Sequence, residues 1–411
     1  MFSMFKTSPT KDGKVADTTN PTIDGLTNFV SNLGSVKDTA SQSCFSRNRA
    51  LGRHELDSMY RDSWLARKVI DVPTEEMTRA WRQFDTTDIR QSELAAEEQR
   101  IQLKAKVAAA IRWARLYGGS ALYLGIKGQD PSQPLKLTDI KRSSLSYLQV
   151  LDRHRLVGFG DRDCSLDSSN FGLPLFYEVR NGDNSVKIHH SRLVRFDGAA
   201  LPSDLLQAND CWSDSVLVSL YSVIQNAETA SAVIASLLHE AVVDVVKVPG
   251  LEQMLSQKDG EQKLHRRFGL AMQLKSLNNT LLLGQGEDYS QKSVAFSGIK
   301  DVLCEFMALV AAADMPVTRL LGQSPAGLNS TGESDLRNFY DMISARQESQ
   351  LRPQLSRIDE VLQVSLWGHK SKRIDFAFNP LWQMTELEKA DLALKQSQIH
   401  AADSQKCSCK S

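Results

Sequence analysis

The sequence has no excess of charge of either sign. Its 49 lysine and arginine residues are balanced by 49 aspartate and glutamate residues, so the formal net charge at pH 7 is zero. A protein that binds DNA by itself and without sequence preference usually carries a basic excess, which neutralises phosphates. Any contact between this chain and DNA is therefore expected to be local or weak.

Long hydrophobic runs are also missing. A membrane-spanning helix needs roughly 20 consecutive apolar residues. The most apolar stretch, residues 217–248, is interrupted by polar side chains such as Asn226, Glu228 and Asp244. The first residues lack the apolar core of a secretory signal peptide. These absences predict a soluble, intracellular protein.

Cysteine is scarce and scattered. The six cysteines contain no C-x-x-C pair, and scattered cysteines in an intracellular chain are usually reduced packing residues. Cys407 and Cys409 have no second ligand pair nearby. The sequence therefore predicts no metal site and no cofactor.

The 411 residues, 41% of them hydrophobic, suit two or three packed regions rather than one core. Residues 1–50 are rich in Ser, Thr, Asn and Asp, which predicts a flexible N-terminal arm. Residues 51–250 mix helical spacing with short strand-like runs. We therefore expect an α+β, predominantly helical chain.

Within residues 51–250, the spacing of apolar residues predicts a helix over 53–81 with a break at Pro73, a helix over 92–117, and a long apolar helix between 214 and 248. Short apolar runs bounded by Gly, Asn and Asp predict strands. These runs are SALYLGI (120–126), LQVLD (148–152), LFYEVR (175–180), VKIHH (186–190) and LVRFDG (193–198).

The remainder has a simpler order of elements. It predicts a helix, a short β excursion, a second helix, a glycine-rich loop, a long helix with a return segment, and a short tail. Their ranges are 251–276, 277–297, 298–314, 321–332, 333–382 and 383–411. In the β excursion, TLLLG and SVAF are expected to form a strand pair.

The long helix is the element with the strongest signals. Ser330 followed by Glu333 is a capping-box pattern at its start. Apolar residues then recur at intervals of three and four, interrupted at Gln347. Pro353 removes one backbone hydrogen bond and is expected to kink the helix.

At this helix the sequence becomes recognisable. The run MPVTRLLGQSPAGLNSTGESDLRNFYDMISARQESQLRPQLSRIDEVL (315–362) closely resembles a family of phage portal proteins common in prophages. Supporting matches are ARLYGGSALYLG (114–125), IHHSRLVRFDG (188–198), and WLA (64–66) with TRAWR (78–82). The resemblance spans about residues 53–392, with the motifs in the order that the family has.

The resemblance implies a portal fold and a closed ring, usually a dodecamer, at one capsid vertex of the virion, assembled in the host cytoplasm. The wing would be 51–250, the stem helices 251–276 and 298–314, the clip 277–297, the tunnel loop 321–332, the long wing helix and return 333–382, and a short or missing crown 383–411. Implied partners are other copies of the chain, the terminase large subunit, head-completion or adaptor proteins, capsid and scaffold proteins, and double-stranded DNA. No membrane contact and no enzymatic activity are expected.

The same resemblance suggests residues for each role. Tunnel-loop contacts with DNA would come from Gln323, Ser324, Asn329, Ser330 and Thr331. Basic stem residues would be His265, Arg266, Arg267, Lys275 and Lys300. Terminase docking at the clip would use Gln285, Glu287, Asp288 and Tyr289. Because successive helical residues diverge by about 100°, the basic run 265–267 cannot all face one way, and a solvated face is an equal alternative.

Two alternatives remain open. The tripeptides His189-His190-Ser191 and His369-Lys370-Ser371 match the paired H-x-[ST] motifs of two-histidine phosphoesterases, although such short motifs recur by chance. A head–tail adaptor without DNA contact is the other alternative.

Overall fold

The computed structural model describes residues 51–85, 88–168, 170–181, 184–240, 242–278, 286–293, 315–322, 333–369 and 375–382, together with Lys395. The predictions for the arm (1–50) and the second stem helix (298–314) lie outside these residues. So do almost all of the tunnel loop and of the tail. Within the described part, no helix combines the length and the apolar character needed to cross a membrane.

The described chain alternates helices and short strands. The helices are α1 (Arg53–Asp62), α2 (Trp64–Arg79), α3 (Asp88–Arg100), α4 (Leu103–Tyr117), α5 (Ser203–Ala208), α6 (Leu217–Glu240), α7 (Leu251–Leu255), α8 (Gly260–Asn278), α9 (Val317–Leu321), α10 (Glu333–Arg346) and α11 (Arg352–Trp367). The strands are β1 (Arg82–Asp85), β2 (Gly119–Ile126), β3 (Leu145–Asp152), β4 (Leu156–Arg162), β5 (Pro174–Asn181), β6 (Asn184–His189), β7 (Leu193–Asp197), β8 (Val242–Lys247), β9 (Asp288–Ser293) and β10 (Asp375–Phe378). The expected α+β, helix-rich class is confirmed.

All five predicted strands of the 51–250 region are present, as β2, β3, β5, β6 and β7. Strand β4 was not predicted, because Gly158 and Gly160 interrupt its apolar pattern. Gly160 has a φ of 78°, and the pairing of β4 with β5 shifts register between Phe159 and Arg162. The glycine therefore serves a β-bulge in a real strand.

Helix α2 runs through Pro73, so the predicted break there is wrong. Proline has no backbone N–H, and the carbonyl of Val69, four residues earlier, loses its helical partner. The guanidinium of Arg115 replaces that partner and donates to the Val69 oxygen over 2.8 Å. The break comes instead at Ser63, whose hydroxyl accepts a hydrogen bond from the backbone N–H of Ala66 and so caps α2.

Two other predicted helices are divided. The helix predicted over 92–117 is α3 and α4, separated at Gln102, which has a left-handed φ of 54°. The stem helix predicted over 251–276 is α7 and α8, separated by a turn in which Asp259 has a φ of 70°. A left-handed residue cannot continue an α-helix, so each marks a boundary that apolar spacing does not reveal.

The long apolar helix predicted between 214 and 248 ends at Glu240, and the chain continues as strand β8. The sequence of β8 is VVDVVK. Valine loses side-chain freedom in a helix and packs well on a pleated sheet, which favours the strand. The prediction of helix for this last segment was therefore wrong.

The core is built on both faces of one sheet. Strand β2 lies between β3 and β7, and all pairs are antiparallel. Its alternating residues serve two clusters: Leu122 packs in the large helix-lined core, whereas Ala121 packs in a smaller cluster around Trp212. A side chain at Gly119 would come within 2.1 Å of the Trp212 ring, so this strand start requires glycine.

The long helix is continuous from Glu333 to Trp367 but contains a π-helical segment, Gln347–Leu351, between α10 and α11. The buried amide of Gln347 donates from Nε2 to the carbonyl oxygen of Met77 over 2.8 Å. The interruption of the apolar stripe at Gln347 therefore has a structural role. Pro353 stands in the first turn of α11, directly after the wide π turns.

Near its two ends, the described part of the chain is joined by one strand pair. Strand β1 pairs with β10, and Arg82 lies opposite Phe378. The Arg82 side chain is fully buried and forms ion pairs of 2.6 Å with both Glu98 and Asp359. These contacts fasten the return segment after α11 to the segment after α2.

Candidate functional site

Helix α8 carries an exposed basic face. Lys263, Arg266 and Arg267 stand at intervals of three and four residues, so they lie on one side of the helix, and all three are exposed. Leu270 continues this face and is 57% exposed. Such a face offers positive charge together with an apolar contact.

His265 is exposed but points away from this face, since it precedes Arg266 by one residue. The prediction that residues 265–267 cannot all face one way is confirmed. Lys263 was not among the predicted stem residues, although its spacing from Arg266 and Arg267 is visible in the sequence. Lys275 lies on α8 as well, and Lys300 lies outside the described residues.

One residue of the basic face is engaged by the predicted clip. A guanidinium nitrogen of Arg267 lies 2.6 Å from a carboxylate oxygen of Glu287. The Glu287 side chain is only 4% exposed, whereas that of Arg267 is 45% exposed. Glu287 is therefore turned toward α8, and the positive charge of Arg267 is partly neutralised.

The strand after Glu287 pairs with an unexpected partner. In the register of β8 with β9, Asp288 lies opposite Lys247 and Tyr289 opposite Val246. The Lys247 ammonium and the Asp288 carboxylate are 3.5 Å apart. The predicted TLLLG–SVAF pair lies largely outside the described residues, and β9 pairs with β8 instead.

The other predicted site residues cannot be placed. Gln285 and the tunnel-loop residues all lie outside the described residues; the latter are Gln323, Ser324, Asn329, Ser330 and Thr331. Within the described part of the chain, no three His, Cys, Asp or Glu side chains gather where a metal ion would fit.

The first H-x-S tripeptide is bound up in local structure. The Nδ1 atom of His189 accepts a hydrogen bond from the backbone N–H of Ser191 over 3.2 Å and lies 2.8 Å from its hydroxyl oxygen. Burial, followed by the positive charges of His190 and Arg192, lowers the pKa of His189 to about 4. His189 thus acts as the cap of the short 3₁₀ turn His190–Arg192.

The second tripeptide begins at His369, which is exposed. Its Nδ1 atom lies 3.1 Å from the carbonyl oxygen of Trp367. Its other two residues, Lys370 and Ser371, lie outside the described part. The described residues therefore do not bring the two motifs together as a site.

Three curated relatives are similar to the chain along most of its length. A protein of Caulobacter sp. (strain RHG1) named anti-CBASS protein Acb1 is 40% identical over 384 residues, covering 90% of this chain and 61% of that protein. A Sphingomonas paeninsulae protein of the same name is 37% identical, covering 90% and 60%. A Haemophilus influenzae protein, described as uncharacterized, is 32% identical, covering 90% and 84%. The chain thus spans about three fifths of the two named relatives.

Solved structures of phage-like particles are similar to the chain at low identity. A neck of an empty gene transfer agent particle has a TM-score of 0.49 at 15% identity, covering 90% of this chain and 94% of that one. An HK97-family phage portal protein from Corynebacterium diphtheriae has a TM-score of 0.40 at 9% identity, covering 81% and 97%.

A protein-family model settles the class. The model described as "Phage portal protein" matches residues 54–402, which is most of the chain. The family is one of structural proteins, so the prediction of a structural rather than an enzymatic role is confirmed. The resemblance seen in the long helix and the upstream motifs is confirmed as well, and the chain belongs to the phage portal protein family.

Proposed function

We propose that this chain is the subunit of a ring, located at one vertex of a phage capsid in the virion, through which double-stranded DNA is packaged and ejected. The observation that carries this proposal is the family match over residues 54–402. A dodecamer is the form that the sequence resemblance implies. Assembly in the host cytoplasm and contact with capsid and scaffold proteins belong to the same proposal.

The DNA contact is assigned to the basic face of α8 and to the tunnel loop. Lys263 and Arg266 are exposed basic residues on one side of the helix, and Lys275 and Lys300 would add to the stem. A conduit has to hold DNA weakly, because tight binding to many phosphates would arrest its movement. A neutral chain with a local basic face meets this requirement. Tunnel-loop residues 323, 324 and 329–331 remain candidates from sequence alone.

The docking of the terminase large subunit, and later of head-completion proteins, is assigned to the clip around β9. Asp288 is exposed and Tyr289 half-buried, so both offer groups to a partner. Gln285 remains a candidate from sequence. Glu287 is proposed to hold the clip on α8 through Arg267 rather than to contact the motor.

The name of two relatives supports a second candidate, an anti-CBASS role. The chain spans 61% and 60% of those proteins, so an activity of their remaining part would not extend to it. A CBASS-inhibition assay that compares this chain with the full-length Caulobacter relative separates the two cases. Inhibition by the relative alone would remove the second candidate.

Negative-stain electron microscopy with mass determination on the same sample tests the main proposal. We expect rings with a central channel wide enough for duplex DNA, and the mass gives the number of subunits. Rings whose channel is too narrow for a duplex would favour the adaptor alternative. A chain that stays monomeric under all assembly conditions would contradict the proposal.

A further inference from the structure

A cavity of about 480 Å³ lies between the second half of the long helix and the β5–β7 region. Its helix side includes Arg357 and Glu360, and its sheet side includes Tyr177, His190 and Arg195. The cavity is thus lined by residues of both packing clusters, since α11 belongs to the large core and Tyr177 to the cluster around Trp212. Polar groups from two separately packed bodies converge on it.

Arg357 is a half-buried cation whose charge is poorly balanced. One guanidinium nitrogen donates to the carbonyl oxygen of Ser191 over 2.9 Å. Among the described residues, no carboxylate lies within ion-pair distance of Arg357. Burial lowers the pKa of Arg357, and Glu360, one turn further along the helix, offsets this only in part. A desolvated guanidinium without a close counter-charge favours an anion brought from outside.

Arg195 lines the same cavity and has a spare donor. Its terminal nitrogens are used by Tyr177, Asp197 and the carbonyl oxygen of Cys211, at 2.7, 3.0 and 2.8 Å. Its Nε–H is buried and has no acceptor among the described residues. The guanidinium is fixed over the ring of Trp212, at 3.9 Å from the centroid, so its orientation is held in place before any ligand arrives.

His190 adds a third nitrogen donor on the sheet side. Burial and then the charge of Arg357 lower the pKa of His190, and Asp163 acts in the opposite direction. The His189 ring packs beside it, with 4.5 Å between the ring centroids. An anion in the cavity would favour the protonated form of His190, because it would offset the charge of Arg357.

We propose that this cavity is a binding site for a small oxyanion, a phosphate or a carboxylate, held between Arg357 of the long helix and the Arg195–His190 side of the sheet region. Guanidinium groups bind both anions through charge-assisted hydrogen bonds, which are stronger than neutral ones. The bound anion would join two packing clusters across the cavity. This inference does not depend on ring formation or on DNA contact, so its failure would leave the proposed function unaffected.

The test is isothermal titration of the full chain with inorganic phosphate and, separately, with succinate. The variant Arg357→Gln is expected to bind about tenfold more weakly or worse, the usual effect of losing a hydrogen bond to a charged group. Glu360→Gln removes a negative charge from the cavity wall and is expected to tighten binding. Arg180→Gln is the matched control, since it removes an equal charge from an exposed pair on β5 and should leave binding unchanged.

The two anions distinguish the source of the ligand. Binding of phosphate alone assigns a phosphate site, and binding of succinate alone assigns a carboxylate site. Because Glu360→Gln changes affinity in the opposite direction, it tests the site even if Arg357→Gln does not fold. Failure of both anions to bind the unaltered chain at millimolar concentration would overturn the proposal. Equal affinity of the unaltered chain and both cavity variants would overturn it as well.

Discussion

Arg82 and Asp359, which lie 277 positions apart in the sequence, are joined by two hydrogen bonds of 2.6 Å each. Their side chains are 0% and 6% exposed. Burial lowers the pKa of Arg82, but Asp359 and Glu98 more than offset this, so the pKa is raised and the guanidinium stays charged. A charge of this kind is stable in the interior only while its partners are present.

We therefore expect Asp359→Ala to lower the free energy of unfolding by about 3–5 kcal/mol, the usual cost of breaking a buried ion pair from one side. The double variant Arg82→Met, Asp359→Leu should lose less, because no buried charge is left without its partner and Glu98 keeps its hydrogen bond from the indole N–H of Trp81. Urea unfolding followed by circular dichroism measures both. Strict additivity of the single substitutions would contradict this account.

The π-helical segment gives a second prediction. Replacing Gln347 by Ala leaves the buried Met77 carbonyl without its donor and should cost about 1–3 kcal/mol of stability. Gln350 belongs to the same segment but is exposed, so Gln350→Ala is a matched control, expected to stay within about 0.5 kcal/mol of the parent chain. The midpoints of urea unfolding give the comparison, and equal losses would argue against a role for the Gln347 bond.

If α8 faces DNA, its two arginines should differ in effect. Arg266→Gln should weaken duplex binding by the assembled protein and lower the slope of log affinity against log salt by about one contact per affected site. Arg267→Gln should do less, because Glu287 already neutralises this charge. Glu287→Gln frees Arg267 and should strengthen binding. Fluorescence anisotropy over a salt series measures all three, and identical effects of the two arginine substitutions would count against the assignment.

Stability should fall on mild acidification, in part through His189. Its pKa is about 4 in the folded chain, against an ordinary value of 6.5. Between these values the unfolded chain binds more protons, so stability falls as the pH drops from 6.5 to 4. His189→Asn keeps an acceptor for the Ser191 N–H but does not titrate. The melting temperature of this variant should depend less on pH in that window, and an unchanged profile would be the contrary result.

Local patterns predicted much of the fold because they reported local causes. Strand β2 is short, apolar and bounded by glycine, and its two buried faces leave no other reading. The course of α2 through Pro73 could not be predicted, because the donor to Val69 comes from Arg115, 46 positions away. Strand β8 was taken for helix because it continues an apolar run, and its valines decide only once a partner strand is known.

The site was predictable to a smaller extent. The basic face of α8 is visible in the spacing of Lys263, Arg266 and Arg267. The sequence assigned Arg267 to DNA and Glu287 to a protein partner, yet the two side chains bind each other. This contact depends on where β9 lies, and its pairing partner β8 lies more than forty positions upstream. Long-range pairing of this kind leaves no local signal.

The pairing of β1 with β10 sets an order of events during synthesis. Strand β1 is complete once residue 85 has been made, but its partner, Asp375–Phe378, follows almost three hundred positions later. Two further contacts of the first helices also wait for late residues. Arg79 donates to the Leu381 carbonyl, and the Met77 carbonyl accepts from Gln347.

Closing so long a loop is slow compared with forming local helices, since the chain entropy is lost before the contact is made. For most of its time on the ribosome, the nascent chain therefore carries β1 as an unpaired strand edge that is open to wrong partners. Helices α1 and α2 can form early, but they gain their final contacts only when nearly the whole chain has emerged.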